Sequence, residues 1–570
     1  MKKGTRFFGA RYWWVFLLLF LLGLNYLASV FHTRVDLTKE KRYTLSKTTS
    51  ELVKNLDDDV EITVFLKGQF PAGFKKLANS TDEFLSLLKD RNGSRVQYRF
   101  VSPQDEIPGT GKSYEDTLVA LGASPINLTV QVKAGQENKR LYPVALVRYK
   151  DRQALVNLYG GGKRAIGPQE LNNAEALMEY QFARTLDKLV NAEMPLVAYS
   201  IGNGEPTDHR VYDLQQTLLQ DYQLFTFNLR EQRAIPDTFK LLLIVKPSVA
   251  FTEPEKLKID QFIMRGGKVL WFIDNLLAEQ DSLRFTPQTI AFDRNLNLTD
   301  QLFRYGVRIN TDLVMDLQCD FMPFAVGGSN DNPQFEFLKW NYYPLFESRG
   351  NHSINKNTGL VAGRFVNSMD TIATPGIQKI PLLSSSVNSR IISTPALISI
   401  NENKNVPEDI KFNKKDIPVA FLLEGNFTSL YRNRVSKEQL DNLAADGQVY
   451  QASTNEPNKM IVVSDGDIVL NDLSPSDGPL PMGLNFYTLN TQYEYQFANR
   501  DFLLNCMEYL VNKPGIIETR NKDIVLRLLN TQKVQEQKTT WQFLNIGLPI
   551  LLVLFLGLIY QQLRKRKYAA

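Results

Sequence analysis

The sequence predicts a membrane-anchored α/β protein, with two transmembrane helices flanking two α/β domains held outside the cytoplasm. Three observations predict it. Two uncharged apolar segments of twenty residues lie near the ends. A strand–helix–strand pattern opens the region between them. From Pro195 onward, strongly apolar strands alternate with capped helices, the pattern of a parallel sheet covered on both faces.

The apolar segments are YWWVFLLLFLLGLNYLASVF (12–31) and WQFLNIGLPILLVLFLGLIY (541–560). Each is long enough to cross about 30 Å of hydrocarbon as a helix. Trp13, Trp14, Tyr26, Trp541 and Tyr560 stand near their ends, where amphipathic rings prefer headgroups. The first is longer than a signal-peptide core and no A-x-A site follows it, so it reads as an uncleaved anchor. Asn25 and Pro549 inside the spans mark candidate packing contacts.

Lys2, Lys3, Arg6 and Arg11 precede the first span, and Arg564, Lys565, Arg566 and Lys567 follow the second, with no acid among either group. Basic flanks belong on the cytoplasmic side, so both termini are expected there. Arg34, Lys39, Lys41 and Arg42 lie just past the first span, so the C-terminal cluster carries most of this orientation. The formal net charge is +5, and with the eight terminal cations set aside the external part is slightly acidic. The basic balance therefore reflects topology, and no basic stripe interleaved with aromatics points to nucleic acid.

The expected organisation is a cytoplasmic N-terminus (1–11), span 12–31, a first α/β domain (32–192), and a second, doubly wound domain (193–518) with an insertion over about 300–455. A connector helix (519–540), span 541–560 and a basic tail (561–570) complete the chain. In the first domain, RVDLTKEKRYTLS (34–46) is a polar connector, and Ser46 or Thr48 caps a short helix. VEITVFL and VQYRFV read as strands flanking a helix over 70–91, whose Phe74, Leu77, Thr81, Phe84 and Leu88 share one face. This opening fits a thioredoxin-like layout. NLTVQV and PVALVRY are further strands, and a helix over 170–191 closes the domain. In the second domain, PLVAYSIG, QLFTFNL, KLLLIVKP, KVLWFID and KMIVVSDGD are strands. A helix spans 211–222. Another follows a Thr252/Glu255 capping box and stops at Gly266–Gly267, and a last one covers 499–511.

EIPGTGKS (106–113) lacks only the first glycine of a phosphate-binding loop, where Glu106 stands instead. A turn at Pro108–Gly109 followed by a Ser113/Asp116 helix cap accounts for the same letters, and the segment is expected outside the cytoplasm, away from ATP. VLWFID resembles a Walker B strand only as any apolar strand ending in Asp does, and GGGKR (160–164) reads as a loop. The chain holds three histidines and two cysteines. Neither Cys319 nor Cys506 sits at a strand-to-helix elbow, and one disulfide or two buried thiols are both open. No zinc spacing occurs. In doubly wound folds ligands gather at the carboxyl ends of strands. That singles out Gly202, Asn203, Gly204, Glu205 and His209 in the loop after PLVAYSIG, and Asp465 and Asp467 in SDGDI, as a candidate ligand or coupling surface. Arg34, Asp36, Arg42 and Tyr43 in the connector are candidates for coupling. No catalytic set, metal site or cofactor is assigned.

Several stretches in order resemble the GldG family, a gliding-motility-associated component of ABC transporters in Bacteroidetes. They are RVDLTKEKRYTLS, FPAGFKKL, EYQFARTLDKL, KLKIDQFIMRGGKVLWFID, LFRYGVRINTDLVMDLQCD, VAFLLEGNFTSLYRNR, VVSDGDIVLN and NRDFLLNCMEYL. The resemblance implies an inner-membrane subunit with a periplasmic region at about 32–540. Its implied partners are a GldF-like permease and a cytoplasmic GldA-like ATPase. It also implies a second domain similar to class I amidotransferases without their catalytic residues. Where that family often reads G-H-G-E, this chain has Asn203 in GNGE. The expected function is non-enzymatic, with 34–46 and 519–540 as transmission elements. The alternatives are a degenerate hydrolase and a periplasmic binding or sensory protein for cell-wall polymer or secreted protein.

Overall fold

A computed structural model of the 570-residue chain describes residues 13–568 except 31–35, 37, 39–43, 69, 110, 124, 133–134, 160–167, 192, 281, 287, 330–331, 349–351, 401–408, 446, 513–514 and 522–536. Met1–Lys522 form one compact unit and Asp523–Ala570 another. Arg34, Arg42, Tyr43, GGGKR and most of the predicted connector helix lie outside the described residues.

The first apolar segment carries helix α1 (Trp13–Val30). Helix α2 (Lys47–Lys54) starts at Ser46, whose hydroxyl accepts the Thr49 amide, as a helix start requires. A four-stranded sheet follows, built from β1 (Val60–Val64), β2 (Val96–Phe100), β3 (Val144–Tyr149) and β4 (Arg152–Asn157), in the order β2-β1-β3-β4. The β1–β2 pair is parallel and the other two pairs are antiparallel. Helix α3 (Ala72–Arg91) buries Phe74, Leu77, Thr81, Phe84 and Leu88, all five residues of its predicted face. The stretch Ile126–Val132 pairs with a strand that the sequence reading missed, Gly135–Leu141, because GQENKRL has no apolar alternation.

EIPGTGKS folds as a turn, not a cradle. The Ile107 amide donates to the Lys112 carbonyl at 2.8 Å, and Glu106 bridges Ser113 across the hairpin. Ser113 then caps helix α4 (Tyr114–Ala120) in a capping box with Asp116.

Helix α5 (Pro168–Val190) has two faces at work. Met178, Phe182, Leu186 and Leu189 join the core of the first sheet, whereas Tyr180 belongs to the core of the second. The predicted junction at 192/193 therefore lies within a single compact unit.

The second sheet has a parallel centre of β5 (Leu196–Ile201), β6 (Gln223–Asn228), β7 (Leu241–Val245), β8 (Lys268–Phe272) and, far downstream, Asn458–Val463. Its inner strands β7 and β8 are almost wholly apolar because both faces are covered, whereas the edge strand β6 leaves Gln223, Phe225 and Thr226 exposed. Leu241, Leu243 and Val245 enter one core and Leu242 and Ile244 the other; Leu270 and Phe272 oppose Val269 and Trp271 in the same way. Helix α6 (Tyr212–Leu218) lies on the first face, joined later in the chain by Asn499–Val511. The opposite face is covered by α7 (Glu253–Met264), where the Thr252 amide donates to Glu255 at 2.7 Å.

The insertion contributes four strands in line to the same sheet, β9 (Cys319–Ser329), β10 (Asn332–Ser348), β11 (Ile377–Ser384) and β12 (Pro418–Gly425), and a short fifth, Val361–Ala362, pairs with β10. With Asn458–Val463 as β13, the order is β9-β10-β11-β12-β13-β8-β7-β5-β6, antiparallel from β9 to β13 and parallel beyond. Helix α8 is Asn499–Val511, the residues predicted. The chain ends in α9 (Lys538–Tyr568), within which Lys538–Arg566 is long and apolar enough to cross a membrane.

Candidate functional site

Among the parallel strands, β5 connects outward to β6 on one side while the chain then crosses to β7, β8 and β13 on the other. The switch point is between β5 and β7, and the carboxyl ends of these strands face one another there. Each loop that leaves these ends delivers a charged or polar residue.

The β5 loop holds GNGE. Glu205 is buried, accepts the Asn203 amide at 2.7 Å and the Ser200 hydroxyl at 2.9 Å, and burial pushes its carboxyl above the ordinary range. Asn203 donates its side-chain amide to Glu255 at 3.1 Å, and its carbonyl accepts the Ser248 and Val249 amides. Gly202 (φ 116°) and Gly204 (φ 78°) are left-handed, and a Cβ on Gly204 would fall 2.1 Å from the Ser248 hydroxyl. Asn203 thus joins the β5 loop to the β7 loop and α7, while Glu205 braces the loop against β5. His209 lies exposed at the start of a 3-10 turn, and its carbonyl accepts Asn471.

Asp465 and Asp467, after β13, belong to a different constellation. Lys246, the residue after β7, places its ammonium 3.1 Å from Asp274, 3.2 Å from Glu279 and 2.6 Å from Asp467. Asp274 also accepts the Gly466 amide, while Asp465 accepts the Arg364 amide at 2.8 Å and the Asp467 amide at 2.7 Å. Lys246 and Asp465 are almost fully buried. Burial alone would discharge Lys246; Asp274, Asp467 and Glu279 outweigh it and keep the ammonium charged. Burial, with Asp467 and Glu279 nearby, pushes Asp274 up to about 6 against the pull of Lys246. Asp465 rises for the same reason, with Asp274 and Asp467 adding to it.

Carboxylate oxygens of Asp274, Asp465 and Asp467 lie within 4.8 Å of one another, close enough in principle for a hard cation. The Lys246 ammonium supplies the positive charge at this place, so the cluster carries its own cation. Beside it, Arg364 grips Asp472 with two 2.7 Å bonds and stacks its guanidinium 5.1 Å from the Tyr343 ring centre. The crevice between Arg364, Asp467, Asp472 and Tyr343 has a volume of about 20 Å³, enough for one water molecule.

The sequence reading found Asp465 and Asp467 but missed Lys246, Asp274, Glu279, Arg364 and Asp472. A signal was present for two of them: Lys246 and Asp274 each stand within two residues of the end of an apolar strand. Cys319 and Cys506 are buried free thiols, which resolves the open pairing in favour of separate thiols.

The model of a family described as an ABC-type uncharacterized transport system matches residues 195–506, from the start of β5 into α8, and takes in every residue of this cluster. A domain of unknown function matches residues 39–148. An uncharacterized protein of Borreliella burgdorferi is 22% identical over 454 residues, covering 76% of this chain and 80% of its own. Among solved structures, the mmIFT52 N-terminal domain aligns with TM-score 0.31 at 12% identity, over 56% of this chain and 99% of that one. An exo-β-1,4-mannosidase from an Opitutaceae bacterium aligns with TM-score 0.18 at 10% identity, over 53% and 39%. Both structural likenesses are too loose to carry an argument. The family match takes in more than half of the chain, and the protein belongs to this family of ABC-transporter auxiliary components.

Proposed function

We propose that this protein is a non-enzymatic membrane subunit of an ABC-type transporter that couples a permease and its ATPase to a periplasmic α/β region. In this reading residues 12–31 and 541–560 both span the inner membrane, both termini are cytoplasmic, and about 32–540 is periplasmic. The first domain is thioredoxin-like and the second amidotransferase-like. GldF-like and GldA-like partners and a role in gliding motility are the finer form of the proposal.

The observation that supports it is that the segment after the first apolar stretch and the segment before the second both pack on α5. In the first segment, the Ser46 amide donates to Glu179 on α5 at 2.7 Å. In the second, the 3-10 turn Ile517–Asn521 packs on α5, and the Arg520 guanidinium lies 4.7 Å from the centre of the Tyr180 ring. Gly515, just before that turn, lies close to Thr48 of α2, since a Cβ on it would come 2.8 Å from the Thr48 hydroxyl. Tyr180 in turn donates to Glu508 on α8, beneath the parallel sheet. In this reading, a pull on either segment would reach one helix packed against both sheets. That is an arrangement a coupling subunit would use.

Capture of the full-length chain from native membranes is expected to recover a permease and an ATPase. The variant Glu179→Ala should keep that assembly but lower cargo-stimulated ATP turnover several-fold. Recovery of neither partner, or turnover untouched by the substitution, would sink the proposal.

A further inference from the structure

The turn after β10 begins at His352 and forms the seat of Arg520. The His352 carbonyl accepts the Asn355 amide at 3.2 Å and the Lys356 amide at 2.9 Å, as at the start of a helix. Its imidazole Nδ1 accepts the Ile354 amide at 3.3 Å, so three amides converge on this one residue. Asn357, left-handed at φ 56°, ends the turn. The Lys356 carbonyl and the Thr358 hydroxyl each accept the Arg520 guanidinium at 3.1 Å. Arg520 is 3% exposed, and among the described residues no carboxylate stands at ion-pair distance from it. These two oxygens and the Tyr180 ring are what hold its charge, so its seat depends on the shape of the turn.

We propose that His352 is a proton-operated catch: neutral, it fixes the 352–358 turn and with it Arg520; protonated, it loosens that turn and the Ile517–Asn521 turn seated on it. Nδ1 can accept the Ile354 amide only while it carries no proton. Protonation sets N–H against N–H, at the start of a turn where converging amides already disfavour a cation. The described groups that face the ring come from three elements. Tyr509 of α8 meets it edge-on, with ring centres 4.8 Å apart. Lys459 of β13 places its ammonium 4.0 Å from the centre of the Tyr509 ring. Glu424 of β12 accepts the Tyr509 hydroxyl at 2.7 Å and lies 3.3 Å from the Lys459 ammonium. Burial, with Lys459 on the same side, outweighs Glu424 and holds the imidazole below its usual range. A lowered value means that the closed catch prefers neutral His352, so it is fully closed above the ordinary histidine range and opens as pH falls through the lowered value. The device lies wholly within Met1–Lys522 and goes beyond the coupling role, and it would stand if no permease were recovered.

The test is hydrogen exchange on the full chain in lipid nanodiscs, corrected for the intrinsic rate at each pH. Two segments report: 352–358, with its amides bonded to His352, and 515–521, where the Thr519 amide donates to the Ile516 carbonyl at 3.0 Å. Strand β7, in the centre of the sheet, is the internal control. Between about pH 7.5 and pH 5, protection of both segments in the unaltered protein should fall several-fold while β7 keeps its own. His352→Asn retains a side-chain acceptor at the start of the turn and takes up no proton, so its protection should stay within about twofold across the same range. His352→Ala should be poorly protected in both segments at both pH values. Protection of 515–521 that ignores pH in the unaltered protein overturns the catch. So does a pH dependence that survives in His352→Asn, because another group would then be responsible.

Discussion

Lys246 adopts a left-handed backbone, φ 44°, a conformation that a lysine rarely takes without a reason. The reason lies in its surroundings: a Cβ on Gly466 would fall 2.5 Å from the Lys246 Cβ, so the β7 and β13 loops meet at van der Waals contact and the ammonium has only the carboxylates to face. Removing one partner of a buried ion pair costs about 3–5 kcal/mol, because the other charges stay behind. Lys246→Met should therefore destabilise the protein by about that amount at pH 7, as read from denaturant unfolding. The pH dependence has a definite sign. Asp274 in the fold sits at about 6, above its ordinary 3.8, so its charged form opposes folding and protonation relieves the cost. Without Lys246 the carboxyls of Asp274 and Asp465 lose the ammonium that holds them down, and rise further. The deficit of the variant should then be smallest near pH 4.5 and grow through pH 6 to 7; a deficit that ignores pH would refute the charge-compensation account. Little of this was legible in the sequence. The members follow three different strands, β7, β8 and β13, and β7 and β13 are more than two hundred positions apart, so their meeting depends on sheet order rather than local pattern.

Elements were more legible than sites, and for reasons particular to each. The α3 face was readable because five residues at helical spacing face one core. The α8 limits were readable because an apolar helix carries its own periodicity. EIPGTGKS shows how capping chemistry can settle a motif that catalysis leaves ambiguous: Ser113 and Asp116 satisfy each other's backbone amides, and Glu106 closes the turn. Ser113→Ala should cost about 1 kcal/mol, typical of a lost N-cap, whereas Ser113→Gly should cost a few tenths. Equal losses in the two variants would mean that the hydroxyl is not acting as a cap. The strands of the insertion were not legible because those such as β10 mix aromatic and charged residues, and their partners lie in an order that no local pattern reveals.

At the scale of the whole molecule, the decisive property is which side of the membrane each part occupies, and the chain offers a direct way to measure it. Cys319 and Cys506 are its two cysteines, both buried, and burial pushes both thiols well above their usual range. Thiolate is the reactive form, so neither should react with a maleimide while the protein is folded. A cysteine introduced at an exposed position then reports its own side alone. Ile410 is 90% exposed and belongs to the second domain; Arg566 lies at the basic end of α9. With a membrane-impermeant maleimide on intact spheroplasts, Ile410→Cys should label at once. Arg566→Cys should label only after permeabilisation, and the unaltered protein not at all. The reverse pattern would place the α/β region in the cytoplasm, remove the basis for a periplasmic coupling role, and reopen EIPGTGKS to contact with ATP.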